Sequence, residues 1–401
     1  MPLHGHVNPS LPLVRALVDR GEEVVYCATD TFAVKITQAG ARVRLYRAAI
    51  LSDLTPMSER LEAISWFLTQ ATAEVLEHDL AAFRDERPDY IVTDSVAPWG
   101  QWAGQILGVP VVTSIPTFAV NRRVLAFAAS SGTRPKSARL LVSKIRHVVK
   151  AVRLRRRLRR QYGVEGTSIM GLMFGSSALN IVHTSREFQP CAETFDDRFL
   201  FIGPSVDARG GGDGFVWDER TPAPLIYVSL GTLFNADPAF YRHCVEAFGP
   251  DDVRVVMSIG TSVSPDDLGP VPAHVLVKPW VPQLGVLRHA SVFVSHGGMN
   301  SVSESLHYGV PLVVVPQMGE QELVGRQVER LGAGLHLART DATAASIREA
   351  VHRVLNDRAL RDRAAVIGAS FKAAGGAGRG ADAILAFTRS QCENRRHELR
   401  R

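Results

Sequence analysis

Short apolar runs with strand character recur along the chain and alternate with segments of helical period. Such runs occupy residues 109–113, 225–229, 254–259 and 312–316. Runs of this length, bounded by turn residues, are typical of strands buried on both faces. Strands that alternate with helices favour parallel sheets covered by helices on both sides. At 401 residues the chain is long enough for two domains of this α/β type.

A glycine-rich segment at residues 208–214 divides the chain near its middle. Glycines of this density suit a flexible joint between domains. The predicted organisation is therefore an N-terminal Rossmann-like domain, a linker, a second Rossmann-like domain, and a C-terminal helix with a basic tail. These parts are assigned to residues 1–205, 206–222, 223–375 and 376–401.

The most informative single stretch lies between residues 280 and 321. Within it an apolar run at 291–295 breaks at His296 and two glycines, and a helical pattern begins at about residue 300. The unpaired N–H groups and the dipole at such a helix start stabilise an anionic phosphate. Gly297 and Gly298 would let a ligand approach the backbone, so the segment predicts a phosphate-binding turn.

Polar side chains surround this predicted turn. His296, Asn300 and Ser301 can donate hydrogen bonds to diphosphate oxygens, and Glu304 lies on the same helix face as Ser301 and suits a ribose diol. A plainer interpretation is a capping box, in which Ser301 and Glu304 only satisfy the N–H groups of their own helix. The spacing of these residues alone leaves both interpretations open.

The motif WVPQ precedes the turn and contains an aromatic and an amide side chain. Trp280 offers a flat face on which a base can stack, and the Gln283 amide can pair with a base or a ribose. A lone tryptophan is more often an ordinary core residue. The order and spacing of all these residues together favour a nucleotide-sugar site.

Taken together, these motifs resemble the nucleotide-sugar signature of the family 1 glycosyltransferases, the UDP-glycosyltransferase superfamily. Within it the chain is most similar to the bacterial macrolide glycosyltransferases. The similarity spans nearly the whole chain and includes residues 5–9, 193–197, 229–232 and 240–248. The resemblance implies the GT-B arrangement, in which two Rossmann-like, doubly wound domains face each other across a cleft. By the same analogy the last helix, at residues 376–389, is expected to cross back onto the first domain.

The resemblance also implies a role for each residue of the predicted donor site. Trp280, in its motif with Val281, would stack on uracil, and Gln283 and Glu304 would hold the ribose. The diphosphate would be bound by Thr232, His296, Asn300 and Ser301, and the sugar hydroxyls by Glu320 and Gln321. Gly298 belongs to the same predicted donor site, where it would let the ligand approach the backbone.

One donor position departs from the family pattern, which usually has Asp-Gln where this chain has Glu320-Gln321. The carboxylate is kept but sits one methylene further out. Its hydrogen bonds to the sugar would therefore have to be re-aimed. We expect an altered or relaxed choice of sugar, rather than loss of the site.

Transfer of a sugar to a hydroxyl needs a base, and a neutral histidine suits this role because its ordinary pKa is about 6.5. The resemblance places the base at His6, expected just before a helix at 11–20, and its orienting carboxylate at Asp94. His4 is the alternative base. An aspartate after a strand can also be a simple helix cap or a turn residue, which is the plain interpretation of Asp94.

The implied reaction is one in-line displacement at the anomeric carbon, with inversion and with diphosphate as the leaving group. The helix dipole and hydroxyl donors would stabilise that leaving group, so we expect no metal and no other cofactor. The sequence contains no Asp-x-Asp or His/Cys cluster of the kind that holds magnesium or zinc. The UDP-sugar is a co-substrate, and stacking alone does not separate UDP from TDP.

Residues 136–160 form a basic amphipathic segment, although the net charge of the chain is only +6. A solvated helix face, a contact with a membrane surface and binding to nucleic acid are three explanations of it. We favour the solvated face and keep peripheral membrane contact as the alternative, with no nucleic-acid partner. The four cysteines are widely spaced, and no apolar run would span a bilayer, so a cytoplasmic location is expected.

The chain start is unusual for this family, because only five residues precede His6. The family has its first, central strand there. Losing about five buried apolar residues would forfeit roughly 8 to 15 kcal/mol of gross burial. We therefore hypothesise that the first strand of the N-terminal domain is missing and that the natural protein begins upstream.

The sequence thus favours an inverting hexosyltransferase that moves a sugar, with UDP-glucose preferred, to a hydroxyl of an apolar natural product such as a macrolide, polyketide or phenolic. Two alternatives remain. One is a membrane-associated enzyme that forms a glycolipid from the same donor. The other is a catalytically silent subunit that only binds the nucleotide sugar, although retention of His6 and Asp94 speaks against it.

Overall fold

The structure is a computed structural model that describes residues 1–53, 61–129, 138–164, 177–206, 215, 223–232, 235–249 and 253–398. These residues form two compact units. The first unit consists of Met1–Thr184, Gln189–Gly203 and Gly375–Arg401, and the second of Ser185–Phe188 and Pro204–Ala374. The predicted linker at 208–214 lies outside the described residues.

The first unit contains eight described helices and six described strands. Its helices are α1 (His4–Val18), α2 (Ala33–Gln38), α3 (Leu61–His78), α4 (Leu80–Asp85), α5 (Pro98–Leu107), α6 (Arg122–Ala129), α7 (Ala138–Tyr162) and α14 (Gly376–Glu398). Its strands are β1 (Val25–Ala28), β2 (Arg42–Leu45), β3 (Ile91–Asp94), β4 (Val111–Ile115), β5 (Leu179–Val182) and β6 (Phe199–Phe201).

The strands of the first unit form two separate parallel sheets rather than one continuous sheet. Strand β1 pairs with β2, and the second sheet has the order β3-β4-β5-β6. Among the described residues, no strand joins β1 to β3. Residues Met1–Leu3 precede α1 and form no strand. The predicted Rossmann-like domain is therefore found here with its sheet in two parts, each with parallel strands and packed helices.

The last described helix, α14, packs inside the first unit. Its residues Ala381 and Ile384 lie in one apolar cluster with Leu13 of α1 and Ile181 of β5. Arg20 Nε donates to Asp382 Oδ1 at 2.7 Å, which ties α14 to the segment that follows α1. The first unit is therefore built from both ends of the chain.

The second unit contains six helices and six strands in its described part. Its helices are α8 (Pro238–Glu246), α9 (Gln283–Leu287), α10 (Met299–His307), α11 (Gly319–Arg330), α12 (Ala344–Asn356) and α13 (Arg358–Ala373). Its strands are β7 (Leu225–Ser229), β8 (Arg254–Ser258), β9 (Val275–Lys278), β10 (Ala290–Ser295), β11 (Leu312–Val314) and β12 (Gly334–His336).

The six strands of the second unit form one parallel sheet with the order β12-β11-β10-β7-β8-β9. Read from the other edge, this is the doubly wound Rossmann order, in which the winding reverses between the first and fourth strands. Here those strands are β7 and β10. Both are almost wholly buried and apolar, as expected for parallel strands covered on both faces. Ligands in such sheets bind at the carboxyl ends of the strands where the winding reverses.

Candidate functional site

His6 and Asp94 form a hydrogen-bonded pair in the first unit. His6 Nδ1 lies 2.8 Å from Asp94 Oδ2, and the side chains are 14% and 12% exposed. Asp94 ends β3, and its Oδ1 accepts the backbone N–H of Val96 at 2.8 Å. Helix α5 begins later, at Pro98, with Ala97 as its N-cap, so the interpretation of Asp94 as a helix cap is wrong. The bond to the Val96 N–H, two residues on, is that of a turn residue, so Asp94 has this structural role in addition to its contact with His6.

The Asp94 carboxyl is ionised in this setting. Burial alone would raise its pKa, but attraction to His6 and to the amino terminus, the His6 hydrogen bond and the Val96 N–H outweigh burial and lower the pKa to about 2. A carboxylate only accepts hydrogen bonds, so the Nδ1 of His6 carries a proton. The opposite ring nitrogen, Nε2, is then the one that can accept a proton from a substrate.

His6 lies inside a helix and not before it, which corrects the prediction from the sequence. Helix α1 begins at His4, and the helix was expected only from residue 11. The helix continues through Pro9 and Pro12, and both prolines are buried. His6 therefore lies in the first turn of a helix. The ring of His4 packs edge-on against the ring of Phe32, with ring centroids 4.9 Å apart.

The glycine turn that was predicted to bind phosphate forms in the second unit where it was predicted. Strand β10 ends at Ser295, and α10 begins at Met299 with Gly298 as its N-cap and no side-chain cap. The capping-box interpretation of Ser301 and Glu304 is therefore wrong. Gly297 has φ +84°, and a Cβ there would lie 2.6 Å from Val314 Cγ1, so the turn requires glycine.

The His296 ring is packed between two glycines from neighbouring loops. A Cβ at Gly231, after β7, would lie 2.6 Å from His296 Cε1, and one at Gly298 would lie 2.4 Å from Nε2. Burial lowers the pKa of His296 to about 4, although a hydrogen bond to the Ser229 backbone works in the opposite direction. The imidazole is therefore neutral near pH 7. Thr232, the predicted diphosphate ligand after β7, is exposed in the same loop as Gly231.

The predicted ribose residues contact one another directly. Gln283 Nε2 donates to Glu304 Oε2 at 2.5 Å and lies 3.4 Å from Ser301 Oγ. Gln283 is the first residue of α9, whereas Ser301 and Glu304 lie on α10. The structure thus brings together an amide and a carboxylate, which can donate to and accept from a hydroxyl group.

Trp280 is not a core residue. Its side chain is 74% exposed, whereas its neighbour Val281 is only 5% exposed. The core interpretation of Trp280 is therefore wrong. An indole that is exposed just before Gln283 is placed for stacking on a planar ligand.

The predicted sugar-contacting residues begin α11. Glu320 is exposed, and Gln321 is buried, with its Oε1 accepting the backbone N–H of Gln317 at 2.8 Å. Consecutive helical residues point about 100° apart. The two side chains therefore present different faces, and only Glu320 is directed to solvent. Asn300, in the first turn of α10, is half-buried.

Two residues beside the predicted donor site, Tyr227 and Asn235, were not predicted from the sequence. Tyr227 Oη donates to Gln283 Oε1 at 3.0 Å, and Asn235 Nδ2 donates to the Gly231 carbonyl at 2.9 Å. Asn235 also fills the space at Gly260, where a Cβ would lie 2.1 Å from its Nδ2. Tyr227 belongs to an apolar strand, so no local signal marks it as functional. Glycine at 260 is the one clue to close packing at Asn235.

The described residues contain no group of three or more His, Cys, Asp or Glu side chains placed to hold a metal ion. Within the same part of the chain, no helix combines the length and the apolar character that crossing a bilayer requires.

Residues 242–375 match the family described as erythromycin biosynthesis protein CIII-like, C-terminal domain. The chain is 36% identical to NDP-glycosyltransferase YjiC of Bacillus subtilis, over 96% of this chain and 95% of that protein. It is 31% identical to the demethyllactenocin mycarosyltransferase of Streptomyces fradiae, over 96% of this chain and 84% of that protein. The crystal structure of CalG4, the calicheamicin glycosyltransferase, superposes with a TM-score of 0.81 at 33% identity, covering 96% of each chain.

These similarities cover 96% of the chain and therefore extend over both units. The identities exceed 30% over almost the full length of the chain. The chain therefore belongs to the family 1 glycosyltransferases of GT-B fold, and it is a hexosyltransferase that uses a nucleotide sugar.

Proposed function

We propose that this enzyme transfers glucose from UDP-glucose to a hydroxyl group of an apolar natural product, with inversion at the anomeric carbon. The observation that carries the proposal is the 2.8 Å pair of His6 and Asp94, which provides one base with one orienting carboxylate. Relatives named for demethyllactenocin and calicheamicin support the class of acceptor.

In the proposed reaction, His6 Nε2 removes the proton of the acceptor hydroxyl as its oxygen attacks the anomeric carbon. The new carbon–oxygen bond forms while the bond to the diphosphate breaks, and UDP leaves with the electron pair of that bond. Asp94 stabilises the protonated imidazole. A single displacement inverts the configuration of the sugar carbon.

The departing diphosphate would be stabilised by the first N–H groups of α10, by neutral His296, and by the hydroxyls of Thr232 and Ser301. The proposal needs no metal ion. We expect turnover to persist in excess chelator. Loss of turnover that is restored by adding back Mg²⁺ would overturn this part of the proposal.

The test of the main proposal is an assay of the purified protein with UDP-glucose and a panel of macrolide, polyketide and phenolic acceptors. Products are detected by mass spectrometry, and the anomeric configuration is determined by NMR. We expect a β-glucoside from the α-configured donor. A retained configuration would overturn the single displacement, and UDP-glucose binding without transfer or hydrolysis would favour a silent binding subunit.

The choice of sugar is proposed to depend on Glu320, because this exposed carboxylate is one methylene longer than the aspartate usual in the family. Wild type and Glu320→Asp are compared across UDP-glucose, UDP-galactose and UDP-N-acetylglucosamine. We expect the ratios of kcat/KM among the three donors to change by about 10-fold, which corresponds to the net free energy of one hydrogen bond. Identical ratios would contradict the role of Glu320.

A second candidate is supported by the surface of α7. Its basic side chains Lys150, Arg153, Arg156 and Arg157 are exposed, as are Val148 and Val149 one turn earlier. A cationic face with apolar neighbours is suited to anionic lipid headgroups, so a lipidic acceptor at a membrane surface is the alternative. Flotation with vesicles that contain phosphatidylglycerol at low salt tests it. Protein that stays at the bottom of the gradient would exclude this candidate.

A further inference from the structure

A buried tyrosine lies beneath the predicted ribose site. Tyr227 is in the middle of β7 and is 1% exposed. Its ring stacks on Phe293 of the neighbouring strand β10, with ring centroids 4.5 Å apart and planes at 21°. The two residues are direct partners in the strand register. The position of the Tyr227 hydroxyl is therefore fixed by the sheet and by the stacked ring.

The Tyr227 hydroxyl and the Glu304 carboxylate together determine which way the Gln283 amide faces. Burial raises the pKa of Tyr227 well above its usual range, so the hydroxyl stays protonated and donates to Gln283 Oε1 at 3.0 Å. The amide nitrogen is then turned toward Glu304 Oε2, at 2.5 Å. The reversed amide would place Oε1 against the carboxylate, where two acceptors would face each other.

We propose that Tyr227 is a positioning residue that holds the Gln283 amide for the ribose 2′-hydroxyl and so sets the preference for ribonucleotide over 2′-deoxyribonucleotide donors. The inference rests on the proposed ribose role of Gln283 and Glu304. A 2′-hydroxyl both donates and accepts, so it matches a fixed N–H beside a carboxylate. A 2′-deoxyribose lacks this hydroxyl, so the orientation of the Gln283 amide does not increase its binding.

The experiment measures the binding of UDP and 2′-deoxy-UDP to wild type and to Tyr227→Phe by titration calorimetry. These two nucleotides differ only in the 2′-hydroxyl. We expect wild type to prefer UDP. In Tyr227→Phe the affinity for UDP should fall about 5- to 10-fold, which corresponds to the net free energy of one hydrogen bond. The affinity for 2′-deoxy-UDP should change less than about twofold.

Tyr241→Phe is the matched control, because Tyr241 is equally buried in the second unit and bonds none of the predicted donor-site side chains among the described residues. We expect this control to keep the wild-type ratio of UDP to 2′-deoxy-UDP affinity. Thermal unfolding of all three proteins reports any general loss of stability, which would weaken both nucleotides alike.

Equal weakening of both nucleotides in Tyr227→Phe, or no change in either, would overturn the inference while leaving the proposed transfer reaction intact. A wild type that binds UDP and 2′-deoxy-UDP equally would remove the ribose role of Gln283 and Glu304, and the inference with it. A wild type that binds neither nucleotide and transfers no glucose would contradict the proposed function itself.

Discussion

His6 in the first unit and His296 in the second have opposite environments. His6 bonds a half-buried carboxylate at 2.8 Å and lies in the first turn of a helix. His296 follows a strand, is packed between Gly231 and Gly298, and bonds the backbone of Ser229. Only His6 therefore has a neighbouring negative charge that can stabilise a proton taken up during a reaction.

This difference separates two kinds of chemistry that a histidine can provide. A ring beside a carboxylate can gain a proton and give it up again. A ring that is buried away from charge stays neutral and can serve only as a hydrogen-bonding group. On the proposed mechanism we therefore expect proton transfer to depend on the first unit and binding of the leaving group on the second, and the following four variants test that expectation.

The largest effect is expected for His6→Ala. Removing a general base should lower kcat by about 1,000-fold, within the usual range for this kind of catalysis, and should leave UDP-glucose binding nearly unchanged. His4→Ala is the control and should retain kcat within about twofold, since the His4 ring packs on Phe32. Steady-state transfer and UDP calorimetry measure both values. A comparable loss in His4→Ala would assign the base to His4.

Asp94→Asn should lower kcat by about 100-fold, because an amide keeps the shape of the side chain but does not stabilise the protonated His6 ring. The same variant should leave the ratio of UDP to 2′-deoxy-UDP affinity unchanged, since that ratio depends on the second unit. Transfer assays and calorimetry test the pair of expectations. Full turnover in Asp94→Asn would remove Asp94 from the mechanism.

The pH dependence of stability should reveal the neutral state of His296. Its pKa is about 4 in the folded protein and about 6.5 when unfolded, so between these values the unfolded chain binds more protons. The free energy of unfolding therefore decreases as the pH falls from about 6.5 to about 4, and it decreases by about 2 kcal/mol between pH 7 and pH 4.5. That is roughly a 30-fold change in the unfolding equilibrium.

His296→Gln removes the titrating group, so the loss of unfolding free energy between pH 7 and 4.5 should be smaller in the variant by the same amount. Urea unfolding at the two pH values provides the measurement. An identical pH dependence in the two proteins would show that His296 is not held in the neutral form by burial.

The smallest effect is expected for Gly298→Ala. The added Cβ would lie 2.4 Å from His296 Nε2, so the ring must move away from its position. We expect the KM for UDP-glucose to rise about 10-fold and kcat to change less, because one leaving-group contact is weakened. Gly378→Ala is the control, since the nearest atom there is 3.6 Å away on the Arg20 side chain. Unchanged KM in Gly298→Ala would argue against the packed-ring description.

The glycine turn at residues 296–298 could be predicted from the sequence because its signals are local. An apolar run followed by two glycines and a helical pattern predicted a strand at 291–295 and a helix at about 300–307. The structure has Ala290–Ser295 and Met299–His307. Strand, turn and helix each depend on residues within a few positions of one another, so chain order contains the necessary information.

The remaining features depend on contacts between distant residues. Nothing near Tyr227 in the sequence indicates Gln283, which is 56 positions away, because a tyrosine in an apolar strand looks like a core residue. The pairing of His6 with Asp94 was predicted only through the family resemblance. The helical placement of His6 was missed, because α1 continues through two buried prolines.

Helix α14 has a consequence for the order in which the protein is made. Its residues Ala381 and Ile384 complete a cluster with Leu13 and Ile181, so this cluster cannot close until these late residues leave the ribosome. Residues 204–374, the main part of the second unit, are by then already synthesised. During translation, the apolar surface of α1 and β5 that α14 later covers therefore stays exposed, and chaperones would be expected to bind there.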